Sequence, residues 1–312
     1  MEQIIKAKNG KGQSVGSIGL GIMGGAFARH LLSEGFDVLG YDIDPARRAA
    51  LKTLGGRPAA SAAAVTLACR VLVTSLPSLK AVDAAFFGAG GIVATAKRGT
   101  VVIETSTLPL AKKEEIRDRC AAKGIAVLDC PVSGTGAQAA NRDIAIYASG
   151  ERKAYDRVEA VLKGFSRSVY FCGDYGNGSR LKYIANLLVT IHNLSTAEAM
   201  VLGLKSGLDL DLVYRVIKDG AGNSRMFEVR GPLMIRGDYR QATMKVDVYK
   251  KDIDIIEAFA ADLHCPVPLF EAAKPFYAAA YAQGRALEDT AAVCAVLEQM
   301  AGVKRKKRRK LK

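Results

Sequence analysis

SVGSIGLGIMGGAFARHLLSEGFDVLGYD, residues 14–42, reads as strand, turn, helix and strand. The apolar run SVGSIGL enters Gly19-Leu-Gly-Ile-Met-Gly24, and the residues that follow open an amphipathic helix. A second strand, FDVLGYD, closes on Asp42. A lone G-x-G-x-x-G is a weak signal in a chain with 31 glycines. Between a strand and a helix, with an acid ending the next strand, it becomes specific for a dinucleotide. Gly19 allows the tight turn, Gly21 lets a pyrophosphate approach the backbone, and Gly24 lets helix and strand pack closely. The helix start at Ile22 and Met23 offers N–H groups and a partial positive charge to the phosphates. Asp42 is spaced to bond a ribose 2′-hydroxyl and would repel a 2′-phosphate, which favours NAD. Arg47 and Arg48 stand near enough to keep NADP open. The plainer alternative, a Gly-rich turn with Asp42 as a cap ahead of Pro45, is disfavoured by this context.

Further strands are expected in CRVLVTSL, GTVVIETS and GIAVLD, with helices over 22–34, 45–54, 79–87 and 109–123. Alternation of this kind predicts a parallel sheet covered on both faces. DIAIYASG, ERKAYDRVEAVLKGF and SVYFCG carry the α/β pattern onward. The texture then changes. Residues 179–206 contain no Pro and one late Gly, Gly203, which predicts a helix of about 28 residues, roughly 42 Å long. DLDLVYRVIKDGAG, VDVYKKDIDIIEAFAADLH, residues 270–283 and EDTAAVCAVLEQMAG read as helical after it. The expected fold class is α/β: an N-terminal Rossmann doubly wound parallel sheet and an all-α C-terminal domain joined by the long helix. The expected boundaries are a flexible leader over 1–13, a dinucleotide-binding domain over 14–177, a helical substrate and oligomerisation domain over 178–303, and a basic disordered tail over 304–312.

Bulk properties exclude several classes. The chain has 312 residues, 49% hydrophobic and 24% charged, an ordinary globular balance with ample material for a core. The stretch 187–194 is interrupted by Thr190, His192 and Asn193, so no membrane span is expected. The N-terminus lacks the apolar core of a secretory signal, which points to the cytoplasm. Cys69, Cys120, Cys130, Cys172, Cys265 and Cys294 form no C-x-x-C pair, so they read as small buried hydrophobes rather than a disulfide frame or metal site. KRKKRRKLK at the C-terminus holds eight Lys or Arg, and the net +14 less these eight leaves +6 on the body. The tail reads first as a solubilising segment; its sharper alternative is a tether for a polyanion. Nucleic acid is unlooked-for elsewhere.

Six motifs in chain order, from about residue 15 to 302, carry a resemblance: GLGIMGGAFARHL with YD, SLPS at 75–78, ETSTLP at 104–109, DCPVSGT at 129–135, GNGSRLKYIAN at 176–186 and KKDI at 250–253. The chain resembles the β-hydroxyacid dehydrogenase family, which includes 3-hydroxyisobutyrate, tartronate semialdehyde and L-threonate enzymes and lies within the 6-phosphogluconate dehydrogenase superfamily. Ser133 supplies a hydroxyl and Gly134 an unobstructed N–H after a strand end, a suitable cradle for a carboxylate. The family usually has a second Gly where this chain has Thr135, which narrows the substrate pocket. Lys182 and Asn186 are four residues apart and share a helix face. The resemblance implies that Lys182 is the general acid/base on the reacting oxygen and that Asn186 helps hold substrate. In isolation the pair would read as a solvated face. The family often has Asn where this chain has Ala185.

The resemblance further implies that Leu76, Pro77, Ser106 and Thr107 lie by the cofactor and that Lys251 touches cofactor or substrate. Ser106 and Thr107 have a plainer reading as caps for the helix begun by Pro109. His192 points about 80° away from Lys182 on the helix wheel and is expected to pack. Asn193 shares the Lys182 face. Cys130 is read as packing, with no base nearby in sequence. The expected activity is hydride transfer between NAD and a small hydroxy acid, 3-hydroxyisobutyrate-like or threonate-like, by a homodimer or homotetramer. The alternatives kept open are an NADP-dependent semialdehyde reductase and a non-catalytic dehydrogenase-like binding module with a polyanion-binding tail.

Overall fold

Short runs of Val, Ile and Leu bounded by Gly, Pro or charge become strands, and the amphipathic stretches between them become covering helices. The computed structural model describes residues 12–303 and residue 305. Residues 1–11 of the expected leader, and residues 304 and 306–312 of the expected tail, lie outside the described residues. The chain forms two compact units that divide within the long helix, the first ending at Lys182 and the second beginning at Tyr183.

In the first unit β1 (Ser14–Ile18), α1 (Ile22–Ser33), β2 (Asp37–Tyr41), α2 (Pro45–Thr53), β3 (Arg57–Pro58) and α3 (Ala62–Ala68) lead into β4 (Val71–Thr74). After it come α4 (Leu79–Phe87), α5 (Ile92–Thr95), β5 (Val101–Glu104), α6 (Leu110–Ala121) and β6 (Ala126–Asp129). These six strands form one parallel sheet in the order β3-β2-β1-β4-β5-β6. Every residue of β4 and β5 is buried, as expected of strands covered on both faces. Phe27, Leu31, Val73 and Phe165 pack one face, and Val65, Leu72, Phe86 and Ile116 the other. Strand order reverses between β1 and β4, the position at which open α/β sheets place ligands.

The α/β pattern continues in a sheet of its own. β7 (Val132–Ser133), α7 (Gly136–Ala140), β8 (Ala145–Ala148), α8 (Arg152–Phe165) and β9 (Ser168–Phe171) form a three-stranded sheet in which β7 runs antiparallel to β8. The long helix α9 is Asn177–Lys205, 29 residues.

The second unit is helical: the remainder of α9, then α10 (Leu210–Lys218), α11 (Arg225–Arg236), α12 (Val246–Asp262), α13 (Pro268–Ala282), a 3₁₀ turn (Thr290–Ala292) and α14 (Val293–Met300). α11 is absent from the sequence reading because Gly231 and Pro232 break its pattern, yet Pro232 is accommodated inside it. Among the described residues, α9 alone is long and apolar enough by composition to cross a membrane. It behaves as a core helix. Thr190 bonds Tyr249, and Asn193 donates to the Tyr277 hydroxyl and the Thr290 carbonyl. Arg305, within the expected tail, pairs with Glu298 and donates to the Ile235 carbonyl.

Candidate active site

The glycine loop connects β1 to α1, and each glycine has a distinct physical reason. Gly19 has φ +89°, and a Cβ there would stand 2.2 Å from the Ser75 carbonyl oxygen, in the loop after β4. A Cβ at Gly24 would stand 1.9 Å from the Gly19 oxygen. Gly21 is different: a Cβ there would meet nothing within 4 Å. Gly21 therefore borders open space, as a backbone approached by a pyrophosphate requires. It is also the N-cap of α1, with no side chain bonded to that helix end. Ile22 is exposed beside it, and Met23 packs back on the core.

Asp42 folds onto this loop. One carboxylate oxygen accepts from the Leu20 N–H at 2.7 Å and the other from the Asp44 N–H at 2.9 Å. Asp44, and not Asp42, caps α2. The two arginines that kept a 2′-phosphate open are engaged. Arg48 donates to the Asp42 and Ile43 carbonyls and lies over the Tyr41 ring, and Arg47 stands 3.8 Å from the Asp44 carboxylate. A hollow of about 320 Å³ adjoins the loop, lined by Gly21, Ile22, Arg29, Arg47 and Gly136 among others.

The other first-unit segments gather at the carboxyl ends of the strands. Ser106 does not cap α6, whose N-cap is Pro109; its hydroxyl accepts from the Leu76 N–H at 3.0 Å. Pro77 is exposed and Thr107 half-buried. Ser133 closes β7, and Gly134 has φ +143° with its would-be Cβ 2.7 Å from Ile144. Thr135 caps α7 in a capping box with Gln138, so its hydroxyl is occupied by helix architecture. Gly136 abuts Ile22, which brings the end of the DCPVSGT segment beside the glycine loop.

A cluster that the sequence reading missed lies beneath these loops. Glu104 and Asp129 are register partners at the ends of β5 and β6, both fully buried. Lys113 of α6, also fully buried, pairs with both, at 2.9 Å from Asp129. Burial alone would lower the Lys113 pKa; the Asp129 and Glu104 charges outweigh it and hold the ammonium above its ordinary range. Asp129 also accepts from the Ser179 N–H at 2.7 Å and the Ser179 hydroxyl at 2.9 Å, in the first turn of α9. Three residues on, Lys182 is 9% exposed, so its amine is carried by a largely buried side chain.

In the second unit, Asn186 and Lys251 meet through a shared carboxylate. Asn186 donates to one Asp252 oxygen at 3.0 Å, and Lys251 donates to the other at 2.7 Å. The pair with Lys251 is the adjacent charge pair that sequence offers as the plainer reading of Lys251; the bond from Asn186, 66 positions away, is not legible there. Asn193 faces Tyr277 and Thr290 in the core. His192 lines a hollow of about 580 Å³ with Thr196, Ser224 and Phe227, ten residues from Lys182 along α9 or about 15 Å. Cys130 is fully buried, which pushes its thiol well above the ordinary value and leaves it inert as a nucleophile. All six cysteines are free; four are buried as expected, but Cys172 is half-buried and Cys265 exposed, against the reading of all six as buried.

This arrangement matches known proteins along nearly its whole length. A family model described as the NAD binding domain of 6-phosphogluconate dehydrogenase covers residues 14–173. A second, described as the NAD-binding of NADP-dependent 3-hydroxyisobutyrate dehydrogenase, covers residues 176–297. The chain belongs to the β-hydroxyacid dehydrogenase family. Among β-hydroxyacid dehydrogenases it is 38% identical to an L-threonate dehydrogenase of Cupriavidus necator, over 90% of this chain and 95% of that protein. It is 32% identical to a 2-(hydroxymethyl)glutarate dehydrogenase of Eubacterium barkeri, over 94% and 97%. A solved 3-hydroxyisobutyrate dehydrogenase from Salmonella typhimurium superimposes with a TM-score of 0.83 at 34% identity, covering 91% of this chain and 99% of that one. As a β-hydroxyacid dehydrogenase, the chain is a hydroxy acid oxidoreductase with a nicotinamide-dinucleotide-binding domain.

Proposed function

We propose that the chain reversibly oxidises a short hydroxy acid, threonate-like or 3-hydroxyisobutyrate-like, with NAD, using Lys182 as the acid/base. The observation that carries this reading is the buried Lys182, three residues from the Asp129 anchor of α9, in a family whose reaction needs one proton moved. Bound NAD would supply the hydride acceptor. Gly19, Gly21, Ile22, Met23 and Gly24 would hold its pyrophosphate, Asp42 its ribose, and Leu76, Pro77, Ser106, Thr107 and Lys251 its nicotinamide half. The open space at Gly21 and the absence of a side-chain cap on α1 fit that group.

Ser133 and Gly134 would bind the substrate carboxylate, and Asn186 a substrate oxygen, held in turn by Asp252. Thr135 would contribute as a wall, since its hydroxyl serves α7. Neutral Lys182 takes the hydroxyl proton at Nζ while the carbon beside it gives up hydride, so the alcohol becomes a carbonyl and the amine an ammonium. NAD is favoured over NADP because Asp42 and Asp44 are both acidic and Arg48 donates to the Asp42 carbonyl.

The reading carries a homodimer or homotetramer and a cytoplasmic location, where six free thiols persist. Initial rates with NAD and NADP across 2- and 3-hydroxy acids, L-threonate included, test it. The expected result is turnover of at least one acid with NAD, and slower turnover with NADP. Cofactor binding without turnover of any acid would refute the substrate class, and preferred use of NADP would refute the cofactor assignment.

A further inference from the structure

We propose that Lys113 is a positioning residue, a buried cation that locks two carboxylates into holding the cofactor-side loops and the start of α9 in register. The inference rests on the proposed roles of Lys182 and the loops after β4 and β5. Glu104 and Asp129 lie side by side on neighbouring strands, and two buried carboxylates so placed repel unless a cation stands between them. Lys113 fills that position from α6, and its remaining surroundings are packed to zero exposure.

Each carboxylate has an oxygen left to direct a different segment. Glu104 accepts from the Ser106 N–H at 2.8 Å, and Ser106 accepts in turn from the Leu76 N–H, so one acid sets two loops. Asp129 grips Ser179 twice, through N–H and hydroxyl. The Ser149 hydroxyl, which donates to Asp129, accepts from the Gly178 N–H at 3.0 Å. The first turn of α9 is therefore fixed in azimuth and in height. Ser179 and Lys182 are three apart and share a face, so fixing one directs the other. Tyr175 donates its hydroxyl to the Lys113 carbonyl at 2.9 Å, which ties the approach to α9 to the same residue.

The network divides into two arms with separable consequences. The Glu104 arm reaches cofactor loops, and the Asp129 arm reaches Lys182. A role confined to stability would lower the melting temperature and leave the kinetic constants of the folded enzyme alone. A positioning role moves them, since misplacement of a reacting group by about 1 Å can lower rate about 100-fold.

The experiment compares wild type, Lys113→Met and Ser179→Ala as full-length folded protein, well below each melting temperature. Cofactor affinity is read from NADH emission, excited directly at the nicotinamide band. Lys113→Met should lower kcat about 100-fold and weaken NADH about tenfold. Ser179→Ala should lower kcat about tenfold with NADH affinity unchanged. A folded Lys113→Met with wild-type kcat and NADH affinity would overturn the proposal, as would Ser179→Ala losing both together. Should Lys113→Met fail to fold, Glu104→Gln takes its place, since it keeps the size of the side chain and removes the charge that pairs with Lys113, with weakened NADH expected and unchanged NADH contradicting. Should wild type turn over no hydroxy acid, the substrate reading fails by itself. The NADH titration of Lys113→Met still decides the Glu104 arm.

Discussion

In the proposed function a single residue, Asp42, sets the cofactor preference of the loop after β2. Asp42 places one carboxylate oxygen on the Leu20 N–H inside the glycine loop, and charge there opposes a 2′-phosphate. Asp42→Asn should lower the NAD over NADP ratio of kcat/KM by about tenfold, equivalent to about 1.4 kcal/mol. An unchanged ratio from paired initial-rate measurements would show that selection resides elsewhere. Gly19, Gly21, Gly24 and Asp42 were legible in sequence because their constraints are local: a turn, a helix start and a strand end within 29 residues. Lys113 and the contact of Asp252 with Asn186 were not. A lysine in the helical run LAKKEEIRDRCA looks like its neighbours until β5 and β6 bring Glu104 and Asp129 beneath it. Asp252 likewise gains meaning only when α12 lies against α9 and Asn186 reaches it.

Elements were recoverable where one periodicity ran unbroken. α4 falls on 79–87 as the sequence predicts, and α9 begins two residues earlier and ends one earlier than the Pro-free window 179–206. β3 and α5, with two and four residues, are too short for any period to register. α11 was hidden by its internal Gly231-Pro232 and owes its place to tertiary contacts. Its Arg230 is buried and paired with Asp289 at 2.6 Å, and Asp289 also accepts from the N–H groups of Thr243 and Ala291. Removing one member of such a pair leaves an uncompensated buried charge. Asp289→Ala should lower stability by about 3–5 kcal/mol in denaturant titration. A loss below about 1 kcal/mol would show that α11 is held by apolar packing alone.

At the scale of the molecule, α9 carries exposed apolar residues within the second unit. Ile184, Leu188 and Leu202 are exposed along it, with the smaller Ser195 and Ala199 between. Antiparallel pairing of two copies would set Ile184 opposite Ala199 and Leu188 opposite Ser195, large against small, as an isologous interface requires. Light scattering should therefore report a dimer or tetramer, and Leu188→Glu should shift it toward monomer at micromolar concentration. A monomeric wild type would contradict that assembly.

Lys182 is the proposed proton carrier. Oxidation requires its neutral amine, so log kcat/KM for the hydroxy acid should rise with pH at unit slope to a plateau. The decisive measurement is that profile in wild type and in Lys182→Ala with NAD. The expected result is a loss of about 10²- to 10⁴-fold in the variant and disappearance of the rising limb. A variant that keeps both its rate and its limb would contradict it.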